Sequence, residues 1–416
     1  MRRGSQSVIG MLGILRSVLV LLLAIFLLMA GNGPLTTIIS VRLEAAGTAS
    51  PVIGAVMSAY FGGLTLGSLF AYRVVTQYGH IRAFTAFASA LSAIALAYAL
   101  YVSPSLWGVL RLAEGFCMAG LYICIESWLN DSATAQTRGR ILASYMICLY
   151  AGQSIGQFML NLPDPSGFLL FVLISILLSA AVIPVALTRM TPPHLPDVAG
   201  LSFRRLYAAS PLGMVGTVTS GLVLGSVYGL GAIFAREIGL DLSRTALFMS
   251  AVILGGVLLQ LPVGRLSDIF DRRLVILGVL GGMVLVSGFM AAATQFGIFG
   301  LTLAALAFGG FSFALYPLCV AHTNDHLGNA ERVSASGGLV LAYSAGATLG
   351  PLLSSGTMAS TGAAGLFAFT GGISGLCLLF GFWRIWMRPS PPQEEQGRYQ
   401  ALPRTTPVVA PLDPHA

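Results

Sequence analysis

Arg111 and Glu114 stand three residues apart inside a mainly apolar run at 105–128, six and nine residues from its start. At 1.5 Å of rise per residue this is roughly 9 and 14 Å of depth, and the i, i+3 spacing puts both side chains on one helix face, where they can pair. An ionisable group so deep in a bilayer costs at least ~2.5 kcal/mol on insertion scales, which makes it a functional candidate by default. Two roles stay open. Glu114 can be a protonation or solute-contact site with Arg111 as its partner, biasing one conformation over another, or the two can form a static ion pair that fixes helix register. Asn32, Tyr122, Gln153, Tyr228, Gln260 and Tyr316 are further candidates for the wall of a cavity, each with packing as the alternative. Glu126, near the far end of the same run, is placed for a gating salt bridge with Arg82 or Arg138, the alternative being a solvated end charge.

Other chemistries are excluded. The chain has no lysine, so it lacks the Walker A residue that binds nucleotide phosphates. Residues Gly152 to Gly156 spell G-x-S-x-G, but a nucleophile elbow needs a strand-to-helix turn and this stretch lies in an apolar helical run. Neither H-E-x-x-H nor a cluster of metal ligands occurs. The five cysteines all fall in apolar runs without C-x-x-C spacing and read as small buried hydrophobes. No enzyme activity, cofactor or metal is expected, and energy for any transport must come from an ion or solute gradient.

The elements that position these residues are membrane spans. Hydrophobic residues make up 56% of the chain and charged residues 9%, against about 25% charged in a soluble domain. Apolar runs of bilayer-crossing length fall near 17–41, 51–75, 83–103, 105–128, 141–162 and 167–188, then near 211–235, 245–267, 274–294, 296–321, 333–358 and 364–387. A shift of 194 residues (309 minus 115) carries Gly115 onto Gly309, Tyr122 onto Tyr316, Asn130 onto Asn324, Asp131 onto Asp325, Arg138 onto Arg332, Gly152 onto Gly346 and Gly156 onto Gly350. The chain is an internal duplication. With six spans per copy the two repeats enter the membrane the same way round, an arrangement found in secondary transporters with a solute site between the halves.

All arginines except Arg42, Arg111, Arg236 and Arg244 fall on the amino-terminal side of the membrane. By the positive-inside rule both chain ends are then cytoplasmic, which also accounts for the net charge of +7 without any nucleic-acid partner. The expected organisation is a cytoplasmic stub over 1–13, a six-helix bundle over 14–188, a linker over 189–210 bearing Pro192, Pro193 and Pro196, a second bundle over 211–387, and a disordered cytoplasmic tail over 388–416. Gly31, Asn32, Gly33 and Pro34 are expected to break the first helix in mid-membrane.

The run from Gly264 to Arg273 resembles the signature loop of the major facilitator superfamily, G-x-L-x-D-R-x-G-R-R, departing from it at Ile269 and Asp271. The first-half loop keeps Gly79, His80, Ile81 and Arg82 but has Thr76 where the signature Asp would fall. Arg111 with Gly115 resembles the family's R-x-x-x-G element, and Gly346, Gly350 and Pro351 resemble its G-x-x-x-G-P element. That element belongs in the fifth helix, where this chain has Gly152 and Gly156 without the proline, so the resemblance gives no support for a drug-proton antiporter. The combination of Glu126, Ser127, Arg138 to Arg140, Tyr145, Met146, Ser226 to Gly229 and Leu315 to Pro317 is similar to the bacterial YcaD-like branch.

This resemblance implies an all-α integral membrane protein of twelve helices in two parallel six-helix repeats. Its cavity would be lined mainly by the first, fourth, seventh and tenth helices, with Gly264, Asp268, Arg272 and Arg273 in a gating loop. The expected protein is a monomeric, proton-coupled secondary transporter of a bacterial inner membrane that moves a small organic solute. Export is favoured by the apolar, aromatic candidates. Uptake of a polar metabolite is the alternative, as is a sensor or assembly factor that keeps the bundle without the cycle.

Overall fold

Among the described residues, twelve long helices run in two sets of six. The computed structural model describes residues 2–134, 136–162, 167–188, 193, 202–292, 297–387, 396–397, 399–400, 402–406 and 408, with the side chains of 2–17, 329, 330 and 333 left aside. In the first set α1 is Arg2–Ala45, α2 Ser50–Tyr78, α3 His80–Leu100, α4 Pro104–Ser132, α5 Arg138–Gly156 and α6 Leu169–Ala186. In the second, α7 is Pro211–Glu237, α8 Leu242–Ile269, α9 Arg272–Ala291, α10 Ile298–Asn324, α11 Asn329–Thr361 and α12 Ala364–Met387. Eleven of them are long and apolar enough to cross a bilayer. The other, α5, carries Arg138, Arg140 and Gln153, and gains length from a 3-10 turn over Gln157–Asn161. Of the linker only Pro193 and residues 202–210 lie within the description, the latter holding a short helix, Phe203–Ala209.

The duplicated glycines are where helices touch. A methyl group at Gly152 or Gly156 of α5 would collide with the carbonyls of Phe26 and Ala30 in α1, and one at Gly346 or Gly350 of α11 with those of Val218 and Leu222 in α7. Gly115 of α4 meets the Tyr60 carbonyl of α2, and Gly309 of α10 meets the Val252 carbonyl of α8. Each bundle therefore uses the same helix pairs, brought together by small residues as membrane helices require where no hydrophobic drive exists between them. Large apolar side chains such as Leu285, Phe299 and Trp386 point outward.

The expected break in α1 does not occur. The helix runs unbroken through Gly31 to Pro34. Pro34 lacks the N–H that would bond the Ala30 carbonyl, and α5 packs against that carbonyl at Gly156, so the exposed backbone group is covered by a neighbour rather than by a local unwinding.

The two bundles meet in the half of the membrane away from the chain ends. Ser58 of α2 donates to the Thr348 carbonyl of α11, and Gly54 abuts Ser355 and the Pro351 carbonyl. Across the other seam the Ser250 hydroxyl of α8 donates to the Ser154 carbonyl of α5 at 2.9 Å.

Candidate transport site

Between the bundles, on the side of those contacts nearer the chain ends, lies a cavity of about 100 Å³. Its wall comes from α1 (Met29, Asn32, Thr36), α2 (Tyr60, Phe61, Leu64), α4 (Arg111, Tyr122), α5 (Leu149, Tyr150, Gln153), α7 (Tyr228) and α11 (Tyr343, Ser344), with Pro403, Arg404 and Thr405 of the carboxyl-terminal segment closing it. The expected set of first, fourth, seventh and tenth helices is thus joined by α2, α5 and α11, while α10 supplies no residue of the wall itself.

Arg111 and Glu114 form a fully buried ion pair at 2.8 Å. They face different ways. Arg111 lines the cavity, its guanidinium 4.3 Å from the centre of the Tyr60 ring and 3.4 Å from the Thr36 hydroxyl, whereas Glu114 lies behind it and accepts a 2.8 Å hydrogen bond from Tyr98 of α3. Nε and Nη2 of Arg111 and Oδ1 of Asn32 have no hydrogen-bond partner among the described residues. The side-chain amide nitrogen of Asn32 donates to the Tyr60 hydroxyl at 3.2 Å, and the Tyr228 hydroxyl donates to Gln153 at 3.2 Å.

Of the remaining candidates, Tyr122 lines the cavity and its repeat partner Tyr316 does not. Tyr316 is buried with its ring edge-on to that of Tyr343 at 5.4 Å, and Tyr343 lines the cavity. Tyr60, Tyr150 and Tyr343 are cavity residues that the sequence candidates omit. A signal for two of them existed: the 194-residue shift carries Leu149 onto Tyr343 and Tyr150 onto Ser344, and all four line the cavity.

Glu126 does not pair with Arg82 or Arg138. Its carboxylate is fully buried and accepts a 2.9 Å hydrogen bond from Tyr145, with the hydroxyls of Thr405 and Thr406 on its two oxygens. Arg82 is exposed and Arg138 half-buried. In this arrangement the chain's own carboxyl-terminal segment reaches the glutamate and supplies neutral donors instead.

That segment departs from the expected disorder over the described residues between 396 and 408. Arg272 of α9 pairs with Asp325 at the end of α10, takes a 2.8 Å bond to Ser267, and donates to the Gly397 carbonyl at 2.6 Å. Asp325 accepts the Gly397 N–H at 3.0 Å, and Asp268 accepts the Tyr399 N–H at 2.7 Å. Burial pushes the Asp325 carboxyl above its ordinary range, against the pull of Arg272 and the Gly397 amide. The Tyr399 ring lies where a Cβ on Gly264 would be. Arg273 is held by Asp271 at 3.0 Å. Further along, Arg404 is half-buried, its guanidinium over the Phe313 ring at 4.3 Å, and Asn130 at the end of α4 donates to the Val408 carbonyl. The remaining residues of 388–416 lie outside the described residues.

A family model described as Major Facilitator Superfamily matches residues 21–211 and 213–410, both repeats and the segment that enters the cavity. The chain belongs to the major facilitator superfamily. Among relatives, it is 28% identical over 380 residues, 90% of this chain and 98% of the other, to an uncharacterized MFS-type transporter YcaD of Salmonella typhi, and equally to that of Salmonella enteritidis. This agrees with the branch its motifs suggest. Among solved structures the fold is similar to the nucleoside transporter NupG, with a TM-score of 0.76 at 16% identity, covering 88% of this chain and 98% of that one. It is also similar to a D-xylose-proton symporter, with a TM-score of 0.65 at 16% identity, covering 92% and 99%. As in this superfamily generally, the chain is a multi-pass membrane transporter and not an enzyme, with a small molecule as its partner in the membrane.

Proposed function

We propose that the chain is a proton-coupled secondary transporter that moves a small organic solute through the cavity at Arg111 by alternating access. The observation that carries this reading is a set of buried polar atoms without a partner among the described residues, on two side chains that line one space: Nε and Nη2 of Arg111 and Oδ1 of Asn32. Buried donors and acceptors are normally satisfied, and a solute with an acceptor for Arg111 and a donor for Asn32 would satisfy these. Glu114 is the coupling site in this reading. Protonating it would release Arg111 from its carboxylate partner and so change what the cavity offers a solute. Tyr122, Gln153 and Tyr228 complete the solute wall.

The seams at Ser58 and Ser154 close one face, and rocking of the bundles would open it while Gly264, Asp268, Arg272 and Arg273 re-form contacts on the other. The protein would act as a monomer in a bacterial inner membrane with both ends cytoplasmic. The aromatic wall supports export of amphiphilic compounds over uptake of charged nutrients. The test is a thermal-shift screen of the purified protein against metabolite and drug libraries, followed by counterflow in proteoliposomes with the compound that stabilises it most. Exchange across the bilayer, accelerated by a proton gradient, is the expected result, and binding without exchange would replace the transporter with a sensor.

A further inference from the structure

We infer that the carboxyl-terminal segment Leu402 to Thr406 is a tethered pseudosubstrate, and that the solute it stands in for is an organic cation, a guanidinium or alkylammonium on an apolar body. The inference rests on the central cavity being the solute site.

Arg404 is the residue that decides the class. Its guanidinium lies 4.3 Å from the ring centre of Phe313 and 5.6 Å from that of Tyr343, and it is hydrogen-bonded to the Tyr228 hydroxyl. Among the described residues it has no carboxylate partner. Half-buried among helices, a cation without a counter-charge loses part of its hydration, and aromatic faces at these distances compensate by their quadrupole. The phenol oxygen of Tyr228 adds an acceptor. Phe313, Tyr343 and Tyr228 belong to the second bundle and not to the segment, so the place that suits a cation is built by the bundle.

The segment is seated and not merely adjacent. Gly397 and Tyr399 are bonded to Asp325 and Asp268 of the second bundle, while Thr405 and Thr406 are bonded to Glu126 of the first. It thus spans the mouth from one bundle to the other. With it in place about 100 Å³ remains, below the roughly 300–1,000 Å³ of a small-molecule site, so a solute and Arg404 exclude each other. When the segment leaves, Glu126 keeps only the Tyr145 hydroxyl and becomes a carboxylate able to meet the cation that enters. Tethering gives the segment an effective concentration in the millimolar range, so a free cation binds the intact chain weakly.

The experiment measures binding of the pentapeptide acetyl-Leu-Pro-Arg-Thr-Thr-amide, and of the same peptide with neutral citrulline for Arg, to the full-length wild type and to full-length Arg404→Ala. The arginine peptide is expected to bind Arg404→Ala at least about tenfold more tightly than wild type, because the tethered competitor has lost its anchor. In Arg404→Ala the citrulline peptide is expected to bind at least about tenfold more weakly than the arginine peptide. Benzyltrimethylammonium should displace the arginine peptide.

Equal affinity for the two chains, equal affinity of the two peptides, or failure of displacement would each overturn the inference. Should Arg404→Ala not fold, Thr405→Cys in the otherwise intact chain gives a second reading. Its maleimide labelling rate should rise at least about tenfold on addition of benzyltrimethylammonium, and an unchanged rate overturns the inference equally. Competition by these cations without solute counterflow would remove the transporter reading while leaving this one standing.

Discussion

The hydroxyl of Tyr98 and the guanidinium of Arg111 each hold one oxygen of Glu114 at 2.8 Å. The carboxylate is therefore braced from α3 on one side and from within α4 on the other, and only the arginine reaches the cavity. Removing one member of such a buried pair leaves an uncompensated charge, while replacing both with apolar residues need not destabilise. Glu114→Gln is expected to lower stability by ~3–5 kcal/mol in detergent unfolding and to abolish proton-driven exchange. The double variant Arg111→Leu with Glu114→Leu should unfold near the wild-type midpoint yet show no exchange. A double variant that transports normally would reduce the pair to a register device.

Gly54 of α2 and Ser355 of α11 touch across the closed face, with a Cβ built on Gly54 falling against that of Ser355. Two cysteines placed there are within disulfide reach after a small adjustment. Gly54→Cys with Ser355→Cys is expected to cross-link on mild oxidation, to lose counterflow, and to regain it on reduction. Counterflow that continues in the cross-linked protein would show that this face need not open.

Arg272 is buried to 1% exposure and Asp325, its partner, to 3%. Asp325→Asn is expected to cost ~3 kcal/mol, as for other broken buried pairs, and to loosen the segment that begins at Gly397, because the same carboxylate accepts that residue's N–H. Hydrogen exchange across α8 to α10 would report both effects. Unchanged protection at 396–400 would detach the segment from the ion pair.

Gly309 packs against the Val252 carbonyl, whereas a Cβ on Gly278 of α9 would meet nothing. Gly309→Val is therefore expected to force α8 and α10 apart and to cost ~1–3 kcal/mol or more, seen as a fall in melting temperature. Gly278→Ala should be neutral or slightly stabilising. Equal effects would mean that the duplicated glycines are not helix contacts.

The spans and the duplication are legible because both are written in local signals: apolar length, and glycines recurring at a fixed shift wherever two backbones touch. Asn32, Tyr122, Gln153 and Tyr228 could be picked out as polar or aromatic groups within apolar runs, and they do line the cavity. Tyr60, Tyr150 and Tyr343 escaped because in helices this apolar no periodicity separates the face toward the cavity from the face toward lipid. Tyr316 illustrates the same limit from the other side, since its position in the repeat is right and the tyrosine packed against it, Tyr343, lines the cavity instead. Arg404 escaped for a different reason. Its segment is proline-bearing and without apolar period, which argues against a packed core of its own, yet the core it joins belongs to helices far away in sequence, and no local pattern announces that.

The partners of Arg111 and Glu114 in the second repeat are Ala305 and Phe308, so a nearly two-fold symmetric frame holds this charge pair in one half only. A passenger inside such a frame cannot turn end for end and find the same contacts. Molecules that differ only in which end bears the polar group would then be told apart by the cavity itself.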